Sequence, residues 1–312
     1  MQYGKNSTEA DGRLATAVEY GTREFWQERL RVMKKILTLA AIMLITAAIS
    51  IALFDYFTGG SSYPEGVMQT TLYSNVLSEE RELIIHLPRN HDSTKKYPVM
   101  YVLDGSSEDG HVANKFDILS TAGYTPQVIV VGIPNMSGEN RQRNMTPPYM
   151  RMDIDKRDSP LGGADKFLSF MESELFPFVE KNYPASPVRL FYGNSRGGLL
   201  VMYSLLHKPD LFQARFCFSP AFWRDDNMIV SKAADFLNAT DSLHTFLYMS
   251  MGEKEVDKMK NGFDRMAKAF QEKAPVGLIW HSEYTPNADH QDNARISASI
   301  GIGRWSDYLK TK

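Results

Sequence analysis

Cysteine is almost missing from this chain: Cys217 is the single one among 312 residues. An internal disulfide is therefore impossible, and a cysteine-rich metal site is excluded. Cys217 lies in the apolar run Phe216-Cys217-Phe218, a setting for a small buried core residue rather than a reactive thiol. Charge of one sign is lacking too. The formal net charge is −2 and no basic stripe carries interleaved aromatics, so nothing recommends nucleic acid as a partner. Internal repeats and low-complexity tracts do not occur. Hydrophobic residues at 43% and charged residues at 23% are ordinary globular proportions, and the length suits one large α/β domain or two small ones.

One long uncharged run is present, from Ile36 to Phe54, preceded by Arg29, Arg31 and Lys34-Lys35. It is long enough to span a hydrocarbon core, and its basic flank and the small residues near Ser50-Ile51-Ala52 are those of a signal peptide. Residues 33–56 are thus expected to be a signal peptide or membrane anchor. Residues 1–32 are then a polar extension, upstream of a translation start at Met33 if Met33-Lys34-Lys35-Ile36-Leu37 opens the protein. Both readings export the body of the chain, to the periplasm, the medium or the outer side of a membrane. Contact with membrane is expected only through this segment, and only if it stays uncleaved.

A Gly/Ser/Pro linker over 57–64 precedes a folded domain over 65–312. Strands are expected at Gln69–Val76, Arg81–Leu87, Pro98–Leu103, Gln127–Val131, Val188–Tyr192, Ala214–Ser219, Thr245–Ser250 and Val276–Ser282. The first two alternate as an antiparallel pair would, and several later ones are continuous apolar runs, as in strands covered on both faces. Helical patterns fall at Gly163–Asn182, Gly198–His207, Lys232–Asn238, Val256–Lys273 and Asn293–Leu309. The alternation predicts a mostly parallel eight-stranded sheet with helices on both faces.

Between the fifth strand and its helix stands Gly193-Asn194-Ser195-Arg196-Gly197-Gly198. Gly-x-Ser-x-Gly in that position is the sequence form of a nucleophile elbow, and an elbow after the fifth strand fits the α/β-hydrolase fold. The glycines relieve a turn too tight for side chains, and Ser195 is left above the sheet. A serine hydroxyl needs a base within hydrogen-bond reach. In this fold the partners follow in the order serine, acid, histidine. Only His281 and His290 come late enough. His281 lies within the last strand, whereas His290 lies in the loop Pro286-Asn287-Ala288-Asp289-His290-Gln291, where the base belongs. The acid is expected after Phe246–Ser250, where Glu253, Glu255 and Asp257 all qualify; a solvated first helical turn would also explain them. The backbone N–H of Arg196 is expected to face an oxyanion, with Gly105 or Ser106, after the third strand, supplying a second. Phe222 and Trp223 are placed to line an acyl or aryl pocket, or else belong to the core. No metal or organic cofactor is required.

Several stretches, in order, resemble the Putative esterase family of the α/β-hydrolase superfamily: Tyr97–Gly105, Ile129–Asn135, Asn140–Pro147, Gly162–Leu168, Gly193–Gly198 and Phe218–Trp223. That family includes siderophore, feruloyl and acetylxylan esterases, S-formylglutathione hydrolases and mycolyltransferases. The resemblance is strongest to the siderophore-esterase-like branch. It implies an exported serine hydrolase acting on a small-molecule carboxylic ester, with Ser195 as nucleophile, His290 as base and the acid in the Gly252–Glu255 turn, where Glu255 matches the family's spacing. An acyltransferase with the same residues, or a binding protein that keeps the fold, are the alternatives. Asn194 and Arg196 depart from the family, which usually has histidine before the nucleophile and a small or apolar residue after it. The Arg196 side chain is expected to lie along its helix with its head in water; pairing with an anionic substrate group is the other reading.

Overall fold

Strands whose apolar residues run unbroken need cover on both faces, and the computed structural model, which describes residues 7–58 and 66–312, shows how it is supplied. The chain divides into two units, Met1–Ser62 and Tyr63–Lys312. In the first, a single helix, α1, runs over Ser7–Thr58. Its segment Phe25–Ser50 has a mean hydropathy of 2.0. At about 1.5 Å per residue, that segment is long enough to cross a bilayer core. The polar extension is therefore helical from Ser7 and continuous with the apolar segment. Residues 57 and 58 of the expected linker still belong to α1, and its remainder lies outside the described residues.

The second unit opens with a hairpin, β1 (Val67–Ser74) and β2 (Glu79–His86). It continues through β3 (Tyr97–Leu103), α2 (Asp109–Thr121), β4 (Ile129–Ile133) and α3 (Gly138–Asn144). Next come α4 (Ala164–Phe170) and α5 (Phe176–Asn182), joined by a π turn. The remaining elements are β5 (Ala185–Asn194), α6 (Arg196–His207), β6 (Ala214–Phe218), α7 (Arg224–Ala239), β7 (Phe246–Gly252), α8 (Asp257–Lys273), β8 (Ile279–Thr285) and α9 (Asn293–Lys310). They form one 8-stranded sheet in the order β1-β2-β4-β3-β5-β6-β7-β8. β2 is antiparallel to both of its neighbours, and all later pairings are parallel. This is the α/β-hydrolase fold.

Because successive strand residues face opposite ways, the sheet feeds two cores. Tyr101, Leu103, Val131, Phe191 and Leu247 pack with α4, α5, α6, α7 and α8. Met100, Val102, Val130, Tyr192 and Phe216 pack with Phe116 of α2 and Trp305 of α9. The carboxyl ends of β3, β5, β6, β7 and β8 are thus brought to one edge, the edge where α/β sheets place their ligands.

Three departures from the sequence reading have local causes. α2 was not anticipated; Val112 and Phe116 give it a buried stripe at i, i+4, but the buried Asp109 is charged and the apolar Ile118 is exposed, which blurs the pattern. β8 begins three residues later than expected, because Pro275-Val276-Gly277 makes a turn, with Gly277 at φ 88° and the Leu278 N–H bonded to the Pro275 carbonyl. α7 starts earlier, with Asp225, Asp226 and Asn227 in succession at φ 42°, 56° and 61°. Left-handed geometry at three consecutive residues without glycine is costly.

Candidate active site

The elbow is built by close approach. A Cβ on Gly193 would lie 2.3 Å from the carbonyl carbon of Gly197, so no side chain fits between the end of β5 and the start of α6. Ser195, between them, takes φ 58° and ψ −115°. Besides the α6 bond from the Leu199 N–H to the Ser195 carbonyl, two backbone bonds tie this strained residue to the end of β6 and the segment after it. Its N–H donates to the Phe218 carbonyl at 2.8 Å, and its own carbonyl accepts from the Ala221 N–H at 3.0 Å. Ser195 is half-buried. The Arg196 amide that follows is the first of α6, so it has no carbonyl of its own helix to reach.

Two strands further along, Gly252 ends β7, and a Cβ there would lie 2.5 Å from the Ala288 carbonyl oxygen. That approach docks the His290 loop on the Gly252–Glu255 turn. His290 Nδ1 lies 2.9 Å from Glu255 Oε2. The Glu255 side chain is fully buried and that of His290 is 36% exposed. The other two carboxylates of the turn do different things. Glu253 accepts the Asn287 N–H at 3.0 Å, and Asp257 is exposed and pairs with Lys260. His281 is on β8, paired with Tyr248 in the sheet and packed beside Phe246.

A buried carboxylate needs donors on both oxygens, and Glu255 has them. Oε1 accepts from the Ser219 hydroxyl and from the Gly252 N–H at 3.2 Å, while Oε2 meets His290. The Ser219 oxygen in turn accepts from Asn293 Nδ2 at 2.9 Å. Asn293 also bonds the Ser250 carbonyl at 3.2 Å and accepts from the Thr285 hydroxyl. Ser219, Ser250, Glu255, Thr285 and Asn293 are all buried. Sequence reasoning missed Ser219 and Asn293. Both directly border strand ends or helix starts on the carboxyl edge, and that position was the available signal. Ser219 ties the two halves of the site together: it follows Phe218, whose carbonyl holds the Ser195 amide.

Three expectations about the surroundings of Ser195 need correction, for Gly105, Ser106 and the Arg196 side chain. The Gly105 N–H donates to the Ile133 carbonyl at 3.1 Å, extending the β3–β4 pairing. The Ser106 N–H donates to Asp109 Oδ1 at 2.6 Å, and Asp109 Oδ2 also meets His86 Nε2 at 2.6 Å. Neither amide is free as an oxyanion donor in this structure. Phe222 is wholly inside the core, the second of the two readings offered for it; Trp223 is half-buried, with Lys258 Nζ 4.1 Å from its ring centroid. Arg196 does not extend into water. Its Nη1 turns inward and donates to Thr146 Oγ1 at 2.9 Å and to the Met152 carbonyl at 2.8 Å. Burial, followed by the nearby charges of Arg224 and Arg141, lowers its pKa to about 10. Beside the elbow a cavity of about 350 Å³ is lined by Asp104–Glu108, Asn135, Arg141 and Asn194. Asp104 there is held by a two-pronged ion pair with Arg141, at 2.6 and 2.8 Å. Among the described residues no cluster of His, Cys, Asp and Glu is arranged to hold a metal ion.

The family model described as Putative esterase matches residues 74–276, from the end of β1 to the turn before β8. The chain belongs to the Putative esterase family. Over 172 residues it is 33% identical to the ferri-bacillibactin esterase BesA of Bacillus subtilis (strain 168), covering 51% of this chain and 59% of that one. Over 143 residues it is 30% identical to the siderophore enterobactin esterase of Emericella nidulans, covering 41% of this chain and 47% of the relative. The chain thus spans about half the length of these curated relatives. Among solved structures, an IroE-like serine hydrolase from Shewanella oneidensis is similar with a TM-score of 0.72 and 28% identity, over 77% of this chain and 80% of that one. The Putative esterase match covers β2–β7 and the elbow, and it ends before the His290 loop.

Proposed function

We propose that this protein is a serine esterase in which Ser195, His290 and Glu255 act in series. The observation that carries this reading is the buried Glu255 carboxylate, bonded to His290 Nδ1 on one oxygen and to Ser219 on the other. Accepting a proton-bearing Nδ1 leaves the lone pair on Nε2, the tautomer a general base needs. Ser195 Oγ attacks the ester carbonyl while Nε2 takes its proton. The Arg196 amide donates to the oxygen that becomes negative. The tetrahedral adduct collapses, Nε2 returns the proton to the leaving alcohol, and an acyl group remains on Ser195. Water, deprotonated by the same nitrogen, then releases the acid and restores the hydroxyl.

The similarity to siderophore esterases supports a small-molecule ester of that kind as substrate. The apolar segment Phe25–Ser50, with basic residues at its amino end, supports export or anchoring with the catalytic unit on the far side of a membrane. The test is direct. The parent protein is expected to react with a fluorophosphonate probe and to hydrolyse p-nitrophenyl esters. Ser195→Ala is expected to lose both, with turnover down by about 10⁵-fold, and to keep its circular dichroism spectrum. Unchanged turnover in that variant defeats the reading.

A further inference from the structure

Of five arginines in α3, the segment after it, the elbow and the start of α7, three have carboxylates. Arg141 pairs with Asp104, Arg143 with Glu79 and Arg151 with Asp225. Arg196 and Arg224 form no ion pair among the described residues, and each uses only one guanidinium nitrogen. Arg196 donates through Nη1 alone and Arg224 through Nη2 alone. Both guanidiniums converge on one acceptor, the Met152 carbonyl, at 2.8 and 3.0 Å. The Arg224 side chain is buried, and its Nε has no partner at all.

This is not how the fold treats a purely structural buried arginine. Arg215 also lacks a carboxylate, yet all three of its nitrogens donate: to the Ser204 hydroxyl and to the carbonyls of Ser204, Lys208, Pro209 and Phe212. It caps the carboxyl end of α6 and has nothing left to offer. Arg196 and Arg224 keep unspent donors and share one neutral oxygen, while Asp153 acts on both, and Asp225 and Asp155 on Arg224, only through space and without a direct bond. Compensation at a distance is weaker than a direct pair, so an anion bonded to the free guanidinium donors would add to it. A guanidinium fork suits a carboxylate in two-pronged geometry. Arg196 directly follows Ser195, which ties this guanidinium to the elbow.

We propose that Arg196 and Arg224 form a subsite beside Ser195 that takes a carboxylate-type anion carried on the acyl or the alcohol part of the ester. The proposal rests on the serine esterase reading of the same site. It makes the enzyme selective for charged esters, because only a charged substrate can pair with the guanidinium donors that the fold leaves free.

Two pairs of esters test it, each differing in one carboxylate. The acyl pair is p-nitrophenyl hydrogen glutarate and p-nitrophenyl valerate; the alcohol pair is 4-acetoxybenzoate and phenyl acetate. The readout is the ratio of kcat/KM for the charged ester over its neutral partner, so that any loss common to both esters cancels. In Arg196→Met and in Arg224→Met the ratio for at least one pair is expected to fall by about 30-fold, and Arg196→Lys should recover part of it. In the parent protein, raising the salt should shrink the same ratio, a readout that needs no substitution. A role confined to bracing Met152 would slow both members of a pair equally. Ratios that stay within twofold in both Met variants, and do not respond to salt, overturn the subsite and leave the esterase reading intact. If the parent hydrolyses none of the four esters and resists the fluorophosphonate probe, the esterase reading falls and the subsite with it.

Discussion

The two sides of Ser195 are finished differently. Toward β6–β8, every polar group around Glu255 has its partner: Asn293 donates to Ser219, Ser219 to Glu255, and Gly252 and His290 complete the carboxylate. Toward β3–β5, polar atoms are left over. Asn194 Oδ1 at the end of β5, Asn144 Nδ2 in α3, and Nε of Arg224, whose head meets the 151–152 segment, are buried without partners. Buried polar groups are otherwise nearly always satisfied. The closed side can hold an imidazole in one orientation before substrate arrives, which is what a base needs. The open side keeps unused bonding capacity, which is what the proposed anion subsite would draw on. The strained Ser195 stands on the seam.

The largest effect that would break this contrast on the closed side comes from Glu255→Gln. The amide keeps the shape but turns one donor toward groups that already donate, and it no longer favours the Nδ1-protonated tautomer. We expect kcat to fall by about 10³–10⁴-fold with KM little changed, measured on a p-nitrophenyl ester. A fall below tenfold would mean that Glu255 does not orient the base.

Asn293→Leu comes next. It keeps the volume but strands Ser219, Ser250 and Thr285, which all bond its amide. A loss of about 3 kcal/mol is expected, or a drop in Tm of roughly 6–12 °C by calorimetry, with about tenfold in kcat as Glu255 loosens. An unchanged Tm would show that the closed network contributes nothing to holding the edge together.

How legible each side was in the sequence follows from the same geometry. The elbow is local: strand, glycine, serine, glycine and helix occupy adjacent positions, and the turn follows from their sizes. The alternating order of strands and helices gave the sheet. Glu255, Ser219 and Asn293 are far apart in the chain and meet only because parallel strands carry their carboxyl ends to one edge, so three carboxylates in the turn looked equivalent. The direction of Arg196 was unreadable for a similar reason, since its acceptors, Thr146 and Met152, lie in a segment about fifty residues upstream. The amides of Gly105 and Ser106 were misjudged because hydrogen-bond capacity cannot be counted before Ile133 and Asp109 are in place.

The smallest expected effect sharpens the comparison within the turn itself. Asp257 is two residues from Glu255 and carries the same charge, yet it is solvent-exposed and meets only Lys260 at 3.1 Å. A surface pair of that kind contributes little, and its neighbour's role depends on contacts that Asp257 lacks. Asp257→Asn should therefore leave kcat/KM within about twofold and Tm within roughly 1 °C. A loss comparable to that of Glu255→Gln would mean that charge in the turn, rather than the bond to His290, is what the site uses. The pair of variants thus separates a general acidic field from one directed hydrogen bond.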